Sequence, residues 1–162
     1  MRIRYKPWAR KELEESEFYR EHPEELIGNW TNEFPNPNNP FFVELGCGKG
    51  SFIAQMACSH PENNYLAIDL VDPMLGLAKR KIEEVYGEHH KEINNVLLTR
   101  FYIERILLIL NKKDAVDGIY INFCNPWPRG KHHKKRLTYT RQLERYKEFL
   151  KPGGNIYFKT DD

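Results

Sequence analysis

Hydrophobic and polar positions change their period repeatedly along this chain. Short runs at 41–45, 65–70, 95–101, 117–123 and 154–159 are apolar and rich in β-branched and aromatic residues, the pattern of buried strands. Between them apolar residues recur at helical spacing over 50–58, 73–86, 103–110 and 138–149. Strand and helix alternate from residue 41 onward. The pattern therefore predicts an α/β fold with a doubly wound, mostly parallel sheet, right-handed crossovers and helices on both faces. Lys151-Pro152-Gly153-Gly154 predicts a helix stop and turn before the last strand. The first forty residues have a different texture. An acidic helical segment at 12–19 leads into a Pro- and Asn-rich loop at 34–40. This segment is expected to lie outside the core, with Trp8 and Trp30 packing within it. The predicted division is an N-terminal basic and aromatic extension, 1–40, followed by a catalytic-type domain, 41–162.

A length of 162 residues suits one domain with a real core, and 40% hydrophobic content argues for a globular fold. No apolar stretch is long enough to span a membrane, and no signal-peptide pattern opens the chain. Cys47, Cys58 and Cys124 are widely spaced without a C-x-x-C. They read as reduced thiols of a cytoplasmic protein; a monomer or homodimer is expected. The net charge of +2 announces no nucleic-acid partner, but the distribution of charge does. Arg2, Arg4, Lys6, Arg10 and Lys11 cluster with Tyr5 and Trp8 at the start, and a denser basic run lies at 129–136.

The most informative stretch is FFVELGCGKGSF, 41–52. It reads as strand, glycine turn and helix, with Gly46, Gly48 and Gly50 at alternate positions. Glycines let the backbone turn sharply and approach a ligand, and the helix start offers N–H groups beside it. Asp69 ends the next strand about twenty residues on, where an acidic side chain accepts from both hydroxyls of a ribose. A dinucleotide fold spaces its glycines one and then two residues apart; here the spacing is one and one. Glu44 stands just before the turn, where it would repel a pyrophosphate and suit a positively charged ligand. The E-x-G-x-G-x-G pattern resembles the S-adenosylmethionine site of Rossmann-type methyltransferases.

A second constellation follows the strand at 117–123: NFCNPWPRGKHHKKRLTY. In α/β sheets the ligand crevice lies beyond the carboxyl ends of the strands, so 122–127 falls beside the glycine turn. Two prolines fix this loop and hold Trp127, whose flat face can stack on a base. Arg129, Lys131, Lys134, Lys135 and Arg136 form a run suited to phosphates. His132 and His133 are adjacent, so they do not face the same way, and no Cys or carboxylate cluster supports a metal site.

Together these residues resemble the tRNA (guanine-N7-)-methyltransferase family over nearly the whole chain. The matching pieces are RIRYKPWA, WTNEFPNPNNPFFVELGCGKGSFI, NFCNPWPRGKHHKKRLTY and FKTDD. The resemblance implies S-adenosylmethionine as donor, tRNA as partner, and N7 of a variable-loop guanine as acceptor. It makes 41–162 the S-adenosylmethionine-binding domain, with Glu44, Gly46, Gly48, Gly50 and Asp69 on the cofactor. Asn125 falls at the catalytic, cofactor-facing position, Asp161 at a catalytic and guanine-contacting one, and Arg129 at a substrate-contacting one. Three departures stand out. Asn125 replaces an Asp. Residues 100–103, including Tyr102, replace an Asn-x-Asp-Ala segment that contacts adenine. A C-terminal T-x-x-E has no counterpart, and two further strands usual in this fold are missing, so the chain reads as truncated after its fifth strand. Two alternatives stay open: a catalytically impaired tRNA-binding relative, and an amino-directed N-methyltransferase suggested by Asn125-Pro126-Trp127.

Overall fold

The run at 41–45, apolar except for Glu44, forms a central strand of a parallel sheet. The computed structural model describes residues 4–123 and 133–160. Its strands are β1 (Tyr19–Arg20), β2 (Phe41–Leu45), β3 (Asn64–Asp69), β4 (Val96–Arg100), β5 (Val116–Phe123) and β6 (Leu150–Thr160). They lie in the order β1-β4-β3-β2-β5-β6, and every pairing is parallel. Leu66, Ala67, Ile68 and Leu98 are fully buried, as strands covered on both faces must be. The helices are α1 (Pro7–Glu15), α2 (Ser51–Ser59), α3 (Asp72–Glu88) and α4 (His133–Phe149). α1 and α2 pack on α3, while α4 packs on the 3₁₀ turns Ile103–Leu108 and Lys112–Asp114. The expected doubly wound sheet is present.

The structure differs from the sequence reading in several details, among them an unexpected short strand, β1, and an α4 that starts at His133 and not at 138. The first helix starts at Pro7, because proline is tolerated in a first turn, and ends before the extended Ser16. The helix expected at 103–110 is a 3₁₀ segment broken at Arg105 (φ −109°, ψ 26°). The turn expected at 151–154 is absorbed into the start of β6, which takes up its register shift opposite Val116 and Gly118. Finally, the first forty residues are part of the core. Leu13 and Trp30 are fully buried and join the same cluster as the sheet. Trp30 donates through Nε1 to the Ile109 carbonyl at 2.7 Å. Asp114, itself buried, accepts from the backbone N–H groups of Gly28, Trp30 and Asn111, which docks the segment firmly. Trp8 is half-buried under the Arg80 guanidinium, 3.4 Å from its ring centroid.

The strand order reverses between β2 and β5, where Leu45 lies beside Ile121. The carboxyl ends of these two strands therefore lie at the topological switch point, the usual ligand position in such sheets.

Candidate functional site

At the end of β2 the chain turns through three glycines, all with positive φ: Gly46 at +78°, Gly48 at +55° and Gly50 at +85°. Gly46 and Cys47 donate to the Ile68 carbonyl at 2.8 and 3.0 Å, tying the turn to β3. The last two glycines serve different purposes. A Cβ on Gly50 would lie 2.6 Å from Ala78 Cα and 2.7 Å from its Cβ, so this glycine lets α3 approach. A Cβ on Gly48 would meet nothing within 4 Å among the described residues, so this glycine has open space beside it. Gly50 is also the N-cap of α2 and makes no side-chain cap hydrogen bond.

Two carboxylates bracket this turn. Asp69 ends β3; its Oδ2 accepts from Gly48 N–H at 2.8 Å and its Oδ1 from Leu70 N–H at 2.7 Å. It therefore holds the glycine turn in shape. Glu44, 1% exposed, lies on the other side and accepts a hydrogen bond from Asn122 Nδ2. Burial pushes the Cys47 thiol well above its ordinary range, and the charges of Glu44 and Asp69 push it further. Two carboxylates thus act on the glycine turn from either side.

Phe101 N–H donates to the Asp69 carbonyl at 3.0 Å, which brings the segment after β4 to the same end of the sheet. Tyr102 stands there, 45% exposed. The structure therefore gathers Glu44, the three glycines, Asp69 and Tyr102 around the carboxyl ends of the strands. Lys134, Lys135 and Arg136 lie in α4. Asn125, Trp127, Arg129, Lys131 and Asp161 lie outside the described residues. Asn122 is the residue that sequence reasoning leaves without a role. Its signal was its place at the end of the strand that borders the switch point.

The methyltransferase family model Methyltransf_4, described as "Putative methyltransferase", matches residues 38–162. A tRNA (guanine-N(7)-)-methyltransferase of Clostridium perfringens (strain SM101 / Type A) is 53% identical over the whole chain, which spans 74% of that relative. One of Clostridium beijerinckii is 54% identical with the same coverage, and one of Acetivibrio thermocellus is 45% identical. The chain belongs to the tRNA (guanine-N(7)-)-methyltransferase family. Solved structures agree on the fold. An antibiotic-related methyltransferase superposes with a TM-score of 0.56 at 22% identity, over 76% of this chain and 58% of the other. PKMT2 of Rickettsia typhi in complex with AdoHcy gives 0.52 at 20% identity, over 86% of this chain and 24% of its own. Family membership thus rests on the sequence relatives, and the superpositions show the Rossmann-like methyltransferase fold.

Proposed function

We propose that this chain transfers a methyl group from S-adenosylmethionine to N7 of a guanine in the variable loop of tRNA, in the cytoplasm. The observation that carries the reading is the glycine turn with an open flank at Gly48, set between the carboxylates of Glu44 and Asp69. That arrangement fits the cofactor on its own terms. It offers room for a close backbone approach, N–H donors at the start of α2, a carboxylate for ribose hydroxyls, and two carboxylate charges that suit a cationic ligand. When bound, S-adenosylmethionine supplies an electrophilic methyl group on a sulfonium.

In this reading Asp69 accepts from the ribose, Tyr102 flanks the adenine, and Glu44 faces the cationic amino-acid end. Guanine N7 already carries a free lone pair, so no general base is required, and the residues of the chain act by placement. Orientation of this kind is worth roughly 7–11 kcal/mol of barrier. Asn125 and Asp161 are assigned to the guanine, with Asp161 as the carboxylate that offsets the positive charge developing on the base. Trp127 stacks on the base, and Arg129, Lys131, Lys134, Lys135 and Arg136 neutralise phosphates. Residues 41–162 carry the cofactor, and 1–40 add a basic, aromatic flank.

The test is to incubate the chain with unmodified tRNA and isotopically labelled methyl donor, then digest to nucleosides for mass spectrometry. Labelled 7-methylguanosine at the variable loop is the expected product. Label on an exocyclic amine would give the site to amino-directed chemistry. Absence of label, with donor binding intact, would reduce the chain to a tRNA-binding relative.

A further inference from the structure

The roles assigned above leave unused one contact at the switch between β2 and β5. Glu44 is paired in register with Tyr120 and Leu45 with Ile121, so Asn122 comes level with the start of the glycine turn. A Cβ on Gly46 would sit 3.6 Å from the Asn122 carbonyl. The Asn122 amide spans from β5 to β2, where its Nδ2 donates to Glu44 Oε2. An ionised carboxylate only accepts, so the amide must turn its NH₂ towards Glu44 and its oxygen away. That oxygen, Oδ1, is buried and has no hydrogen-bond partner among the described residues. Buried amide oxygens in native proteins are nearly always paired. An unpaired one beside the cofactor turn marks the place of a donor that arrives with a ligand.

The surroundings define that donor. The buried Cys47 thiol is raised by burial and by the fields of both Glu44 and Asp69, so negative charge dominates here. A neutral N–H or O–H would satisfy the oxygen and leave the carboxylate field uncompensated. An ammonium meets both needs, because it carries a full charge and three N–H donors. In S-adenosylmethionine only the amino-acid end bears an ammonium; the ribose offers hydroxyls, and the sulfonium has no N–H. Asp69, which holds the far side of the glycine turn, takes the opposite end of the molecule.

We propose that Asn122 binds the ammonium at the amino-acid end of the cofactor through Oδ1, while its Nδ2 positions the Glu44 carboxylate to face the same ammonium. The assignment rests on the cofactor reading above and adds to it a residue that grips one particular end.

Two nucleosides separate the possibilities. S-Adenosylhomocysteine has the amino-acid end, and 5′-methylthioadenosine keeps the adenosine and sulfur but lacks that end. Calorimetric affinities are measured for both on the unsubstituted chain and on Asn122→Ala. S-Adenosylhomocysteine should bind about ten- to a hundredfold more weakly to the variant, the scale of a lost hydrogen bond to a charged group. Affinity for 5′-methylthioadenosine should stay within about twofold. Equal losses for both ligands would make Asn122 a structural residue, and unchanged binding of S-adenosylhomocysteine would remove it from the site; either overturns the proposal. Asn122→Asp guards against misfolding, since it keeps the shape and an acceptor. Its carboxyl and Glu44 would share a proton, so affinity for S-adenosylhomocysteine should rise with pH while that for 5′-methylthioadenosine stays flat. A flat profile for both refutes the ammonium contact. If the unsubstituted chain binds neither nucleoside, the cofactor reading itself falls, a result distinct from all of these.

Discussion

Gly50→Ala and Gly48→Ala form a pair whose effects should separate cleanly. Both residues have positive φ, where a non-glycine residue costs about 1–2 kcal/mol. At Gly50 the new methyl would also lie 2.6 Å from Ala78 Cα and 2.7 Å from its Cβ. Backbone cannot swing aside as a flexible side chain does, so overpacking adds about 1–3 kcal/mol. The expected total is about 2–5 kcal/mol of lost stability. For a chain of this size that lowers the melting temperature by about 4–20 °C. Gly48→Ala has no neighbour to strike within 4 Å among the described residues, so it should lose only the conformational part, about 1–2 kcal/mol. Its methyl, however, points into the space assigned to the ligand. Urea unfolding and calorimetry with S-adenosylhomocysteine are to be run on both. Gly50→Ala should show the larger loss of stability, and Gly48→Ala should lose at least about tenfold in affinity at a smaller cost in stability. Ala78→Gly should not restore Gly50→Ala fully, because the contact with Ala78 Cα remains. Equal stability of the two variants, or full affinity in Gly48→Ala, would refute the division of labour.

Three further outcomes follow from the geometry. Asp114→Ala removes the acceptor of three backbone N–H groups, the buried one of Trp30 and the part-buried ones of Gly28 and Asn111, and should cost about 3 kcal/mol in urea unfolding, with most of the loss in the docking of 28–34. Arg80 and Lys79 hold the Glu12 carboxyl at about 2, below its ordinary 4.5. The pairing therefore stabilises the fold above pH 4.5 and is lost as pH falls towards 2; Glu12→Gln should melt slightly lower at neutral pH and converge with the parent in acid, and the pair's surface position keeps the gap below about 1 kcal/mol. Neutralising Lys134, Lys135 and Arg136 together should flatten the salt dependence of tRNA affinity by about two to three units of slope, and an unchanged slope would leave the run a solvated helix face.

The strands of the sheet were legible because parallel strands bury both faces. Phe41–Leu45 matches the expected range, and Asn64–Asp69 is displaced by one residue. The N-terminal segment was not. Its buried apolar residues, Ala9, Leu13, Phe18, Tyr19, Trp30 and Phe34, keep no single period along the segment, and β1 is only two residues long. It is held by contacts with residues about eighty positions away, such as Trp30 with Asp114 and Ile109. The same distinction governs the site. Glu44, the glycines and Asp69 belong to one βαβ unit, and sequence spacing reveals them. The bond from Asn122 to Glu44 spans 78 residues and is visible only once β2 and β5 are known to be neighbours. Gly50 fits the ligand-loop spacing, yet its reason for being glycine is α3.

α3 accepts two close approaches within three residues. Ala9 of α1 presses on Gly76, where a Cβ would stand 2.8 Å from Ala9 Cβ, and Gly50 presses on Ala78. Positions two apart lie on nearly opposite sides of a helix, so this one rod is gripped from both flanks. A shift of α1 therefore displaces the axis against which the cofactor turn is seated. Residues that never meet a nucleoside acquire a say in how well one is held. Trimming or tagging the first fifteen residues should register in nucleoside affinity, and positions 9, 50, 76 and 78 should tolerate change only as a set.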